Sequence, residues 1–158
     1  MPLYHSDNRL AGTPQNLTTT FKTILALTAA TASLRRGKLM ELMVGPDGAP
    51  NATDCQIIYD VSRQTAAGTS TATTPNAKDP ADTAGGTVGA GNFTAEGTIT
   101  AASSVLLIPL NQRASQKWSA SQEVDGLIWP AINLAGLAIR ALSPTYAAPV
   151  DVSVTHLE

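Results

Sequence analysis

The chain has 158 residues, 43% of them hydrophobic and only 14% charged, with ten basic against twelve acidic side chains and a net charge of −2. That length fits one domain, 1–158, and the balance argues against a nucleic-acid binder, which needs several clustered cations. Arg35, Arg36 and Lys38 form the densest basic group and read as a charged turn opening a strand. A charged fraction this far below the usual level leaves much neutral surface. Such a surface suits either a chain packed against neighbours or a soluble domain with a Ser/Thr exterior.

Residues 1–15 carry Pro2, Gly12 and Pro14 among scattered polar groups and read as an irregular N-terminal arm. Phe21–Leu27 has a period of two and many β-branched residues, which predicts a strand. Ala29–Ser33 is a small-residue link. Lys38–Val44 is a second short strand, closed by the turn Gly45-Pro46-Asp47-Gly48. Asp54–Gln64 is the clearest strand. Cys55, Ile57, Tyr59 and Val61 share one face, and Gln56, Ile58, Asp60 and Ser62 the other, as in a half-buried antiparallel strand.

The stretch 65–92 reads TAAGTSTATTPNAKDPADTAGGTVGAGN, with Val88 its only large apolar residue. It predicts a long irregular loop. Its composition favours disorder, while Pro75, Pro80, Asn76, Asp79 and Asp82 favour fixed turns. Loops of this length inside a compact domain are usually functional or disordered. We expect this one to order at an interface, and its removal to spare the core.

Beyond it, Phe93–Thr100 resumes weak alternation, and Ser104–Leu110 is strongly apolar. Pro109 cannot donate to a ladder, so this strand ends there or lies at an edge. Arg113–Ser119, Gly126–Pro130, Leu137–Leu142 and Val150–Leu157 complete the set. Ala131–Leu142 also has helical spacing at Ile132, Ala135, Ile139 and Leu142, weakened by Gly136. Eight or nine short strands at this rhythm predict an all-β fold, a β-sandwich of jelly-roll type. Apolar residues on both faces of Ser104–Leu110 and Leu137–Leu142 predict a homo-oligomer, a trimer before a dimer.

Chemistry has few footholds. Cys55 is the only cysteine, so no intrachain disulfide or thiolate cage forms. His5 and His156 lie far apart in sequence, without metal-ligand spacing. Glu123 with Asp125, and Asp79 with Asp82, could chelate Ca²⁺ but read as solvated turns. The glycines Gly85, Gly86, Gly89 and Gly91 lack the lysine of a phosphate loop. Trp118 and Trp129 read as core anchors rather than sugar platforms, and Tyr4, Phe93 and Tyr146 are the aromatics placed on loops or strand ends. We expect no catalytic, cofactor-binding or metal site, and hence no enzyme and no cofactor. The N-terminus lacks a secretory pattern, and no run reaches the roughly 18 apolar residues of a membrane span. Synthesis in a cytoplasm follows as the expectation.

Three phrases carry a resemblance: VSRQTAAGTSTATTPNAKDPADTA (Val61–Ala84), VLLIPLNQRASQKW (Val105–Trp118) and the terminal Pro149–Glu158. With them the chain resembles small head-decoration, or cement, proteins of tailed bacteriophages. The resemblance implies a β-sandwich or jelly roll and a dimer or trimer on the capsid outer surface. Its partner would be the major capsid protein, whose subunits it would bridge, and it implies no catalytic residues. A carbohydrate-binding or tail-fibre module, and a cupin-like jelly-roll enzyme, are the alternative readings of the same fold.

Overall fold

The computed structural model describes residues 1–30 and 34–158, so most of the Ala29–Ser33 link lies outside it. Among the described residues are twelve strands and two single 3-10 turns, at Asn8–Ala11 and Glu123–Asp125. The strands are β1 (Leu3–Asp7), β2 (Lys22–Ala29), β3 (Gly37–Pro46), β4 (Gln56–Ala66), β5 (Thr69–Thr73) and β6 (Asn76–Ala77). They continue with β7 (Thr87–Ala95), β8 (Thr98–Asn111), β9 (Gln116–Ser119), β10 (Leu127–Trp129), β11 (Gly136–Leu142) and β12 (Val150–Leu157).

They form two antiparallel sheets packed as a β-sandwich. Sheet I runs β10-β3-β12-β1-β6, with β9 and β10 end to end along one side of β3. Sheet II runs β5-β7-β2-β11-β4-β8. The pairing is nested. The first strand pairs with the last (Tyr4 opposite His156), and β2 pairs with β11 (Leu27 opposite Leu137). Then β4 pairs with both β11 and β8.

Period-two patterning explains most of the core, and a bulge at Met40 in β3 lets Leu39 and Leu42 both face inward. Leu39, Leu42, Val44, Val150, Val152 and Val154 face inward from sheet I, against Leu25, Leu27, Ile57, Tyr59, Val61, Leu137 and Ile139 of sheet II. Each fully buried Leu, Ile or Val contributes about 1.5–3 kcal/mol of transfer free energy. Trp129 is fully buried, and its ring lies over Gly37, its register partner. Any Cβ at Gly37 would fall within that ring.

Four expectations change. The arm 1–15 is not irregular: Leu3–Asp7 is β1, inside sheet I between β12 and β6. Only Tyr4 and Ser6 turn inward, too little to register as a period, and the ladder to β12 orders the strand. The stretch 65–92 is not an irregular loop either. It contains β5, β6 and the start of β7, and its small side chains gave no periodic signal although its backbone completes ladders. Phe93–Thr100 is not one strand, because β7 ends at Ala95 and β8 begins at Thr98. The helical spacing of Ala131–Leu142 gives way to a tight turn, with Leu134 at φ 63°, followed by β11.

This insertion closes one flank of the sandwich. β7 pairs with β2 of sheet II, and β6 pairs with β1 of sheet I, so the two sheets are tied on the same side. The opposite flank is bounded by β8 in sheet II and by β9 and β10 in sheet I.

Candidate interaction surface

The residues singled out from sequence do not assemble into a catalytic centre. His5 is opposite Thr155, and His156 opposite Tyr4, so the two histidines point to opposite faces of sheet I. His5 pairs with Asp7 at 3.1 Å on the outside. Asp79 caps a turn by accepting from Ala81 N–H. Glu123 sits 3.7 Å from Lys38, and Asp125 accepts from the Ser121 hydroxyl. Gly85 and Gly86 lie against Glu158, and Gly89 and Gly91 lie within β7. Among the described residues, no group of three or more His, Cys, Asp or Glu is placed to hold a metal ion. Cys55 is half-buried against Gln112, 3.3 Å from its Oε1. Trp129 is a core anchor, while Trp118 is only half-buried at the core margin. Tyr4, Phe93 and Tyr146 are all buried, so none offers a ring to a sugar.

Two buried polar clusters escaped the sequence reading. On the outer side of sheet II, Asp60 is almost fully buried. It accepts from Arg140 Nε at 3.0 Å, from Arg140 Nη2 at 2.6 Å, from Ser62 Oγ at 2.6 Å and from Ser104 Oγ. The Arg140 guanidinium also stacks 4.7 Å above the Phe21 ring. A buried charge is tolerable only when paired and hydrogen-bonded in this way. Between the sheets, His156 is fully buried against Tyr4 and Trp129, with Nε2 3.6 Å from Glu158 Oε1. Glu158 Oε2 accepts from Gly86 N–H of the insertion. Burial alone pushes this carboxyl up, but the His156 imidazole, the Thr87 hydroxyl and the Gly86 N–H outweigh it and hold it at about 2. The only sequence trace of either cluster is a charge at a position whose neighbours are apolar.

The two ends of the sandwich differ. One is stapled by side chains that hydrogen-bond backbone. Tyr146 Oη accepts from Gly48 N–H at 2.9 Å, and Gln112 Nε2 donates to the carbonyls of Asn51 and Thr53. Arg9 bridges Asp47 and Asp151 there. The other end carries exposed aliphatic side chains, Leu34, Ile132 and Leu134, on connections between strands.

The flank opposite the insertion is the most distinctive surface. Val105, Leu106 and Leu110 of β8, Trp118 of β9, Leu127 of β10 and Cys55 all pack on the core but remain only partly buried. They form an apolar seam where the two sheets meet solvent. Beside it, Leu107 is 56% exposed. The bounding strand, β8, is the longest among the described residues at 14 residues and carries no charged residue. Comparison with family models, with curated proteins and with solved structures gives no match for this chain.

Proposed function

We propose that this chain is a structural virion protein that decorates a tailed-phage head, clamping neighbouring major capsid subunits from outside, and that it is not an enzyme. The nested strand pairs support reading the sandwich as a jelly roll with three extra strands, β5 to β7. The observation that carries the functional reading is the division of the molecule. The insertion ties the two sheets along one flank, while the other flank leaves apolar core side chains from both sheets at the surface. Patches of this kind mark protein interaction sites. The His156–Glu158 cluster is enclosed between the sheets, while Asp60 and Arg140 pair with each other at the wall of an outer cleft shared with Phe21, Ser62 and Ser104. A modest interface repeated at every lattice site adds up across a shell.

The test is made on particles. Tailed-phage heads purified from a lysate of the source phage are expected to contain the chain in many copies per head, accessible to antibody on intact particles. Heads lacking it should release DNA at a lower temperature. Absence of the chain from purified heads would overturn the reading.

A further inference from the structure

We propose that β8 is a pairing edge for a second copy of this chain, the two β8 strands running antiparallel about a two-fold axis and joining the two copies of sheet II. This concerns the chain itself and stands whether or not the capsid reading holds.

The sandwich has four strand edges, and three are poor partners. β6 has two residues and is followed by Lys78. The edge made by β9 and β10 is broken into pieces of four and three residues and carries Lys117 paired with Glu41. β5 has five residues and no large apolar side chain. Short, charged or interrupted edges are how sheets avoid pairing. Only β8 is long, apolar and uncharged.

The ladder fixes which groups of β8 are free. Pro109 stands opposite Ile58 and has no N–H, and Gln112 N–H donates to Cys55 O, towards β4. From Gln112 back to Leu106 the ladder is regular, so the N–H and C=O groups of Leu107 point away from β4, while Val105 is the extra residue of a bulge between Leu106, opposite Val61, and Ser104, opposite Ser62. Centring the axis on Leu107 sets Leu107 of each copy opposite Leu107 of the other and completes two backbone hydrogen bonds. Pro109 then faces Val105, so its missing donor falls at the bulge, where the ladder is already broken.

Two features make the occupant a second copy. A two-fold contact sets a strand against itself, so any central charge would meet its own kind. A strand free of charge from Thr98 to Asn111 avoids that penalty. The apolar seam runs along the same edge, so pairing would set Leu106 beside Ile108 of the partner copy and Val105 beside its Pro109. Of the two strands that motivated an oligomer from sequence, β11 finds cover on both faces within its own chain, and β8 does not.

Sedimentation of the purified chain tests this at tens of micromolar. The parent is expected to run at about twice 16.3 kDa. Leu107→Lys and Leu107→Glu change an exposed side chain, so each should keep the parent's circular dichroism and melting curve yet sediment as a monomer. An equimolar mixture of the two should return to the dimer, because opposite charges then meet across the axis. Leu10→Lys, on an exposed residue of the 3-10 turn beside β7 and far from β8, should remain a dimer. A monomeric or trimeric parent, a Leu107→Lys variant that still dimerises, or a mixture that stays monomeric would overturn the proposal.

Discussion

Glu158 is a carboxylate kept ionised without solvent, and its folded-state pKa is about 2 against an ordinary 4.5. A depressed carboxyl stabilises the fold fully above its unfolded pKa and loses that contribution as pH falls through the folded one. The loss therefore falls between about pH 4.5 and pH 2, and the shift corresponds to on the order of 3 kcal/mol. Urea midpoints measured across that window should fall more steeply for the parent than for Glu158→Gln, whose stability is lower throughout at neutral pH. Gly37 makes a second residue-scale case. Its Cβ position is filled by the Trp129 ring, and overpacking a rigid core costs about 1–3 kcal/mol or more. Gly37→Ala should lower the thermal midpoint by several degrees, whereas the same change at Gly12, with open space around it, acts only through its φ of 105°.

At the scale of elements, β4 and β12 were legible because large apolar side chains alternate with polar ones, β2 because it is rich in β-branched and aliphatic residues, and β3 because a short apolar run is closed by glycines and a turn. β1 and β5 to β7 were not. Their ordering comes from ladder hydrogen bonds and from close backbone approach, neither of which leaves a period in the sequence. Gly91, for example, lies against Ala11 across the insertion. The same reasoning reverses the expectation that removing the 65–92 stretch would spare the core. β7 covers the edge of β2, Tyr4 Oη donates to Thr83 O, and Gly86 N–H holds Glu158. Replacing Gly68–Gly89 with a short Gly-Ser linker would uncover all three. The shortened chain is expected to lose several kcal/mol and to expose apolar surface, read as a lower melting temperature and increased binding of a hydrophobic dye. An unchanged melting temperature would contradict this role for the insertion.

For the whole molecule, turn rhythm and period-two runs were enough to read an all-β sandwich, although they gave eight or nine strands where the described residues form twelve. Pro109 left its strand either ending there or lying at an edge, of which the structure shows the edge. The candidate surface was half legible. Ser104–Leu110 stood out as apolar on both faces, but so did Leu137–Leu142, and sequence alone does not say which of two such strands lies at the centre of a sheet. The two buried polar clusters were illegible because their members come from distant parts of the chain: Asp60 with Arg140, and Glu158 with Gly86. A sandwich finished on one flank and unfinished on the other has a definite valence. Under the pairing proposed for β8 it takes one neighbour along that edge, and the short strands β5 and β6 at the far side offer no second, so the pairing would close instead of growing into a fibre.

The nested strand order also governs how the molecule reaches its native state. The centre of sheet I is β1 beside β12, strands drawn from opposite ends of the described sequence. No hairpin can make that contact early, and closing so large a loop loses chain entropy before any ladder bond returns it. On a ribosome, Leu3–Asp7 must wait for its main partner until Val150–Leu157 has emerged, with only the two-residue contact to β6 on offer before that. Folding of this chain is therefore a late, collective event.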